Sequence, residues 1–472
     1  MEHIETDVYK NRWIILSVVI IMPFMACLDS SIVNVALPVM AKRLSASMAS
    51  IEEVVTSYLI VISATILFFG RLGDIKGKTN VFKYGFILFS LGSLLCGIST
   101  NLKFLVISRI VQGIGAAMTM ATSQGIITHV FPVNERGRAL GISATFVALG
   151  TLVGPPLGGY LITYFSWQYI FLINVPIGVI AFIFALKFLP RGEINENQSL
   201  DIKGALLFSI FIVLLFWGLI TGQRTGYDVK VNLGLSAALI SFVLFIIIEK
   251  RTETPMVDLS IFKNNTFSIN VFCAFVSFLG ISSVNIIQPF YLQYVLKITP
   301  AKTGTILMVY PVILSIVAPL SGYLSDKIGS KILTLVGLAI TTIGLFSLTR
   351  LWEGSRISYI VFVIAILGLG NGLFQSPNNS LVMSSVPRNK LGIAGGINAL
   401  IRNLGFVFGV SLSTSILYNR MSYKIGYKVL NYVDGREDAF VYGMKYVYYT
   451  TAVICLVGFL TSLYSKIERI KK

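Results

Sequence analysis

The chain has 472 residues, of which 55% are hydrophobic and 12% are charged, and its mean hydropathy is +0.79. Soluble domains carry about 25% charged residues, so this composition excludes soluble enzymes, secreted modules and nucleic-acid-binding domains. The net charge of +17 comes from basic residues scattered through short polar segments, which favours lipid headgroups over nucleic acid as the partner.

Fourteen apolar stretches are long enough to cross about 30 Å of hydrocarbon, which predicts an all-α polytopic protein in a lipid bilayer. The stretches lie near 13–39, 51–70, 80–99, 103–127, 137–163, 168–189, 204–222, 232–249, 267–294, 302–324, 331–350, 357–385, 391–418 and 441–464. An even number of spans places both chain ends on one side. Lys and Arg are more frequent in the loops on that side, which predicts cytoplasmic termini.

The chain resembles itself at an offset of about 250 residues. Gly70–Lys78 matches Gly322–Ser330, and Leu28–Asn34 matches Leu279–Asn285. The predicted parts are a six-helix bundle at 1–190, a linker with two extra transmembrane helices at 191–262, and a second six-helix bundle at 263–472. Two parallel bundles with a site between them are an architecture of transporters.

The repeat also identifies charges that only one bundle carries inside its spans. Asp29 corresponds to Gly280, and Arg109 corresponds to Ile364. Asp29 lies about 24 Å along the first span, and Arg109 falls at a similar depth in the fourth. Intramembrane ionisable groups usually mark ion or substrate paths, so Asp29 and Arg109 are predicted to couple proton and substrate movement. The alternatives are an Asp29 satisfied by neighbouring hydroxyls or helices, and an Arg109 that snorkels to the membrane surface.

Two glycine patterns point to helix turns and close helix packing. Glycine permits a turn within a few residues, and one such turn recurs in both bundles, which indicates a gating loop. We assign to this loop Gly70, Asp74, Gly77, Arg138, Gly322, Asp326 and Gly329. In the fifth span, glycines spaced by four and a kinking proline allow close helix contact. The residues of this helix pattern are Gly141, Gly150, Gly154, Pro155, Gly158 and Gly159.

Polar side chains within the other spans are candidates for the lining of a transport cavity. They are Asn34, Tyr58, Gln112, Asn285, Gln288, Gln293, Asn371, Gln375 and Arg402. The four cysteines lie in apolar runs without a CxxC spacing, and no Walker-type phosphate loop occurs. We therefore expect no metal site and no cofactor.

The sequence resembles the major facilitator superfamily and, within it, the fourteen-span drug:proton antiporter group. Gly70–Lys78 is similar to the loop motif of the superfamily, and the fifth-span glycines are similar to its antiporter motif. Leu105–Gly115 resembles the span-four motif with its buried arginine, whereas Leu28–Pro38 and Trp167–Gly178 resemble stretches typical of the fourteen-span group. The sequence departs from the group at three positions, which are Glu53 in place of a tryptophan and Ile75 and Thr79 in place of basic residues.

The resemblance implies a proton-coupled exporter of organic, lipophilic or cationic compounds in the cell membrane. It would be driven by the proton gradient, with protons and a small-molecule substrate as its partners, and we expect a monomer. The alternative is a uniporter or symporter for an amphipathic organic anion or metabolite, with Arg109 or Arg402 as the partner of the anion. A membrane-embedded enzyme would need a cluster of His, Asp or Cys at one depth, which the sequence does not show.

Overall fold

The computed structural model describes residues 11–190, 192, 201–226, 228–252, 255–257, 259–387 and 391–470. These residues form helices, turns and bends and include no strand. Fourteen helices within this part of the chain are long and apolar enough to span a membrane, which confirms the predicted fold class and the number of spans.

The spans, numbered in chain order, have these bounds: α1 Arg12–Arg43, α2 Met48–Lys76, α3 Lys78–Gly97, α4 Leu102–Val130, α5 Thr145–Tyr164, α6 Tyr169–Phe188, α7 Ile202–Gly222, α8 Val229–Arg251, α9 Asn265–Val295, α10 Pro300–Ser325, α11 Ser330–Leu348, α12 Ile357–Ser384, α13 Ala394–Ile425 and α14 Glu437–Tyr464. The helix that contains α5 begins earlier, at Val133. The helix that contains α13 begins at Leu391, and that of α14 continues to Ile470.

Local sequence explains where several spans begin and bend. The side chain of Asn101 accepts a hydrogen bond from the backbone N–H of Phe104 and so caps the start of α4. Thr299 caps α10 in the same way, with Pro300 at the first helical position, where its missing N–H costs nothing. Pro289 lies inside α9, and two residues later the helix widens into a π-helical turn, Tyr291–Val295, because proline disturbs the regular backbone ladder.

The same helix pairs form in the first six and the last six spans. In the first bundle α1 packs on α5, α4 packs against α2 and α3, and α3 packs on α6. In the second bundle α9 packs on α13, α12 packs against α10 and α11, and α11 packs on α14. The equivalent turns α2–α3 and α10–α11 each contain a glycine with φ of +91°, Gly77 and Gly329, a conformation that favours glycine.

The two central spans pack mainly against the first bundle, and α7 also contacts α13 of the second bundle through Phe216 and Phe408, whose ring centroids are 4.9 Å apart. α7 packs against α2, where the Ser209 hydroxyl donates to the carbonyl of Ala64 at 2.8 Å. α8 packs mainly against α7 and exposes large apolar side chains such as Leu239 and Ile240, at 63% and 60%. Exposed apolar side chains of this density on a long apolar helix mark a surface that faces lipid.

Hydrogen bonds join the two bundles at one end of the molecule. We call the end at which α1 begins the terminal end and the opposite end the distal end. At the distal end, Gln293 Nε2 donates to the carbonyl of Val35 at 3.0 Å, and the Tyr294 hydroxyl donates to the carbonyl of Pro38 at 2.7 Å. These bonds hold α9 of the second bundle against α1 of the first.

The chain after α13 extends this distal contact. The backbone N–H of Met48 donates to Asn431 Oδ1 at 2.8 Å, and that of Ala49 donates to the carbonyl of Leu430 at 3.4 Å. The ring of Tyr432 packs against that of Tyr294 with centroids 5.2 Å apart, and burial raises the pKa of the Tyr432 hydroxyl. The segment 428–432 of the second bundle therefore covers the start of α2.

Candidate functional site

A cluster of hydrogen-bonded side chains surrounds Asp29 in the middle of α1. Arg109 Nη1 donates to Asp29 Oδ2 at 2.5 Å. Gln112 Nε2 and Asn174 Nδ2 donate to the other carboxylate oxygen at 2.8 and 3.1 Å. Asp29, Gln112 and Asn174 are each 0% exposed. The carboxylate thus has three donors around it, as a buried carboxylate requires.

Arg109 is held on several sides within the same cluster. Its Nε donates to the carbonyl of Val54 at 2.9 Å, and its Nη1 also donates to Gln112 Oε1 at 2.6 Å. The guanidinium carbon lies 4.0 Å from the centroid of the Tyr58 ring, a cation–π contact. Arg109 is 1% exposed, so the alternative of a snorkelling side chain is wrong.

Close helix packing brings α3 into the cluster. Gly92 lies directly against the backbone of Gln112, where a Cβ atom would collide with it. This close approach places the Ser93 hydroxyl 2.9 Å from Gln112 Nε2, from which it accepts a hydrogen bond. The Cys96 thiol lies 3.7 Å from Gln112 Oε1. Side chains or carbonyls of α1, α2, α3, α4 and α6 therefore meet at one point.

The sequence predicts Asp29 and Arg109 at one depth, and the structure places them in direct contact. Ser93 and Asn174 were not predicted as members of the cluster. A signal for Asn174 was present, because Asn174 is an amide within the otherwise apolar run 169–186. Ser93 gave no such signal, because a serine in a span commonly bonds to its own helix, as Ser93 also does to Phe89.

The cluster is neutral in total and closed to solvent in this conformation. A buried ion pair is stable only when its remaining hydrogen-bonding groups are satisfied, and here several donors and acceptors from neighbouring helices do this. Chemically, a proton on Asp29 would cancel the charge that holds Arg109. Asp29 is 0% exposed, so solvent does not reach its carboxylate in this conformation.

The other predicted cavity residues fall into different environments. Gln288 is 0% exposed and donates to the Tyr448 hydroxyl at 3.1 Å within the second bundle. Asn371 donates to the Tyr310 hydroxyl at 2.8 Å. Gln293 joins the two bundles, as described above. The remaining members of the set, which are half-buried, are Asn34, Asn285, Gln375 and Arg402.

The predicted gating loop contains an ion pair on the terminal side of the molecule. Lys78 Nζ lies 2.6 Å from Asp74 Oδ1, and both side chains are about 40% exposed. The stem of Lys78 also covers Gly125 at the terminal end of α4, where a Cβ would collide with it. The side chains of Arg138 and Asp326 lie outside the described residues.

The fifth-span glycines form two contacts. Gly150, Gly154 and Gly158 lie against α1, with Gly154 facing Ser31. Gly159 instead lies against the backbone of Pro300 at the start of α10, so this helix packs on both bundles. Pro155 contacts α10 through its carbonyl, and the side-chain position of Gly141 lies outside the described residues.

A cavity of about 330 Å³ lies at the distal end between α2, α7 and α13. Its lining includes Glu52, Glu53, Thr414 and Lys428. The Tyr418 hydroxyl of the second bundle donates to Glu52 Oε1 of the first at 2.8 Å. In the part of the chain that the structure describes, no group of three His, Cys, Asp or Glu side chains could hold a metal ion.

The sequence is similar to known transporters over most of its length. It is 36% identical to the riboflavin transporter RibZ of Clostridioides difficile (strain 630) over 456 residues, which cover 96% of this chain and 98% of that protein. It is 30% identical to the multidrug resistance protein Stp of Mycobacterium tuberculosis (strain ATCC 25618 / H37Rv), over 84% of this chain and 74% of Stp.

Solved structures show the same fold at low sequence identity. A POT family transporter in complex with 5-aminolevulinic acid superposes with a TM-score of 0.70 at 15% identity, over 95% of this chain and 96% of that one. A bacterial homolog of the human lysosomal transporter Spinster, in an inward-facing and occupied conformation, gives 0.66 at 15% identity and covers 97% of each chain.

The sequence profile of the Major Facilitator Superfamily matches residues 19–410 and, in a second match, residues 270–471. The multidrug relatives and the fourteen spans agree with the resemblance to the fourteen-span drug:proton group. Together with the paired helix packing of the two bundles, these matches show that the chain belongs to the Major Facilitator Superfamily.

Proposed function

We propose that this chain is a proton-coupled secondary transporter that exports lipophilic organic compounds by alternating access. The observation that carries the proposal is the buried ion pair of Asp29 and Arg109. A titratable carboxylate in the core of one bundle is expensive to maintain, and such groups usually mark a proton or substrate path. Protonation of Asp29 would release Arg109 and so link proton binding to helix movement.

The distal contacts support alternating access as the mode of transport. The bonds of Gln293, Tyr294 and Tyr418 join the bundles at one end and must break before that end can open. In the proposed cycle the bundles rock against each other around the central cluster. The turn with Asp74 and the glycine face of α5 would act in this exchange, because each lies where helices meet.

The orientation belongs to the same proposal. The loops at the terminal end are richer in Lys and Arg, so we assign that end to the cytoplasm and the distal end to the outside of the cell membrane. A monomer with no cofactor, which uses the proton gradient alone, is the simplest form of such a transporter.

A second candidate function is the movement of a metabolite such as riboflavin. It is favoured by the 36% identity to RibZ, which extends over nearly all of both chains. In this case the half-buried amide side chains of the second bundle, such as Asn285 and Gln375, would supply hydrogen bonds to an uncharged heteroaromatic ring. Uniport or symport would then replace antiport.

Inside-out membrane vesicles with an imposed pH gradient test both candidates. Proton-coupled export predicts that an acidic lumen drives accumulation of lipophilic dyes and that collapse of the gradient stops it. Asp29→Asn should abolish accumulation while downhill exchange of substrate persists. Accumulation that is unchanged in Asp29→Asn would contradict the coupling role. Riboflavin movement that ignores the pH gradient would favour the second candidate.

A further inference from the structure

Arg402 is a charged residue within the membrane-spanning part of α13. Its side chain is half-buried, and α13 is a span of the second bundle that packs against α2 of the first. Arg402 therefore lies on a helix at the interface between the bundles. Among the described residues no carboxylate oxygen lies within ion-pair distance, 4.0 Å, of its guanidinium.

Arg402 differs in this respect from the charged pair of the central cluster. Asp29 and Arg109 neutralise each other and are 0% and 1% exposed, so neither charge is available to a ligand. Arg402 thus leaves one positive charge within α13 that has no ion-pair partner among the described residues. An intramembrane cation without a counter-ion is costly unless it meets water or an anion there.

The residue after Arg402 is a buried amide on a different face of α13. Asn403 is 5% exposed, and its Nδ2 has no hydrogen-bond partner in the described part of the structure. Successive helix residues do not face one point, so Asn403 is not counted as a second ligand beside Arg402. A guanidinium presents its donors in a planar fork that matches carboxylates and other oxyanions.

We propose that Arg402 binds the negatively charged group of the transported compound, so that the substrates of this chain include organic anions. The proposal rests on the transport function proposed above and specifies its substrate class. Of the two arginines that sequence reasoning offered as partners of an anion, Arg109 is occupied by Asp29, Gln112 and the Val54 carbonyl. Arg402 has no such ion pair in the part of the chain that the structure describes. Cations would gain nothing from this region.

Two xanthene dyes of similar shape and opposite charge test the proposal. Fluorescein is an anion and rhodamine 123 a cation at neutral pH. Their equilibrium binding to the purified full chain in detergent can be measured by fluorescence anisotropy without any proton gradient. We expect the wild type to bind fluorescein more tightly than rhodamine 123. Arg402→Gln should weaken fluorescein binding by about tenfold or more and leave rhodamine 123 binding equal or stronger.

Two further variants separate charge from folding. Arg402→Lys keeps the positive charge but loses the fork, so it should retain part of the preference for fluorescein. Arg420→Gln removes an arginine from the same helix that instead stacks on Tyr446, with its guanidinium carbon 4.3 Å from the ring centroid, and should change neither affinity. Melting temperatures show whether each variant folds.

Three results would overturn the proposal. They are tighter binding of rhodamine 123 by the wild type, equal losses for both dyes in Arg402→Gln, or unchanged fluorescein binding in that variant. Because the assay uses no gradient, its outcome is independent of proton coupling. If the chain binds fluorescein through Arg402 but does not export it against its gradient, the proposed antiport is contradicted and the proposed substrate class is still supported.

Discussion

The core of the first bundle and the equivalent core of the second bundle share one helix arrangement but differ in chemistry. In both, a glycine-rich face brings the third and fourth helices of the bundle together, through Gly92 in the first and Gly344 in the second. The polar residues of the first core correspond to apolar ones in the second. The pairs are Asp29 with Gly280, Ser93 with Leu345, Arg109 with Ile364, and Gln112 with Leu367.

The second core shows that this helix arrangement is stable without charges. Ile364 is 1% exposed, and Leu345 and Leu367 are each 0% exposed, so the equivalent space is filled by apolar side chains. At Gly280 a side chain would collide with Cys455 Sγ, which leaves no room for a carboxylate. Since the equivalent core folds without an ion pair, the comparison supports the transport role proposed above for Asp29 and Arg109.

The largest effect is expected when a charge is placed in the apolar core. Ile364→Arg would bury a guanidinium with no carboxylate to meet it, and we expect a loss of more than about 4 kcal/mol and little folded protein. The yield of monodisperse protein and its melting temperature measure this. Ile364→Met is the matched control of similar volume and should fold normally. A well-folded Ile364→Arg protein would show that the two cores are less different than described.

Breaking the ion pair of the first core should have the next largest effect. Arg109→Gln leaves the Asp29 carboxylate buried without its counter-ion, which costs about 3–5 kcal/mol. The double variant Asp29→Asn/Arg109→Gln removes both charges and should recover much of that loss. Thermal unfolding in detergent compares the two proteins. If the double variant is no more stable than Arg109→Gln, the pair does not act as a unit.

The bundles contact each other through two helix pairs, α2–α13 and α5–α10, which we call the two seams. The seams can be compared at the distal end in the same way as the two cores. At the α2–α13 seam Tyr418 bonds to Glu52, whereas the equivalent of Glu52 at the α10–α5 seam is Gly304, which packs on the backbone of Pro155. Tyr418→Phe removes one hydrogen bond to a charged or acidic group, so closure should weaken by about 1–3 kcal/mol.

Labelling of the distal cavity measures that change. A cysteine in place of Ser415, which lines the cavity, should react about tenfold faster with a membrane-impermeant maleimide when Tyr418→Phe is present. Tyr446→Phe is the control, because Tyr446 pairs with Tyr442 inside the second bundle. Equal labelling rates in the presence and absence of Tyr418→Phe would mean that the bond does not hold the seam.

The smallest effect on stability is expected at the gating loop. Asp74 and Lys78 are about 40% exposed, so Asp74→Asn should change the free energy of unfolding by less than about 1 kcal/mol. The same variant should slow transport while dye binding at equilibrium stays nearly unchanged, because the turn lies outside the central cluster. Parallel binding and vesicle assays test this, with Asp438→Asn, from an exposed pair with Arg436, as the control. Equal losses in binding and transport would contradict a role in exchange between states.

The sequence by itself determined the fourteen spans, the repeat and the family. Membrane thickness fixes the length of an apolar run, and the bilayer forces each run to be a helix, so these features need no tertiary information. The difference between Asp29 and Gly280, or between Arg109 and Ile364, was also visible, because a repeat aligns equivalent positions. Counting residues along the first and fourth spans also predicted that Asp29 and Arg109 lie at a similar depth in the membrane.

The tertiary structure alone decided which side chains meet. Helix rotation and close glycine contacts set the direction of each side chain, and neither follows from hydropathy. For that reason the sequence did not predict Asn174 and Ser93 as members of the central cluster, and Gln288 proved to be bonded to Tyr448 inside the second bundle. The same geometry separated two arginines that looked alike in sequence, since Arg109 is buried and paired with Asp29, whereas Arg402 is half-buried and has no ion pair among the described residues.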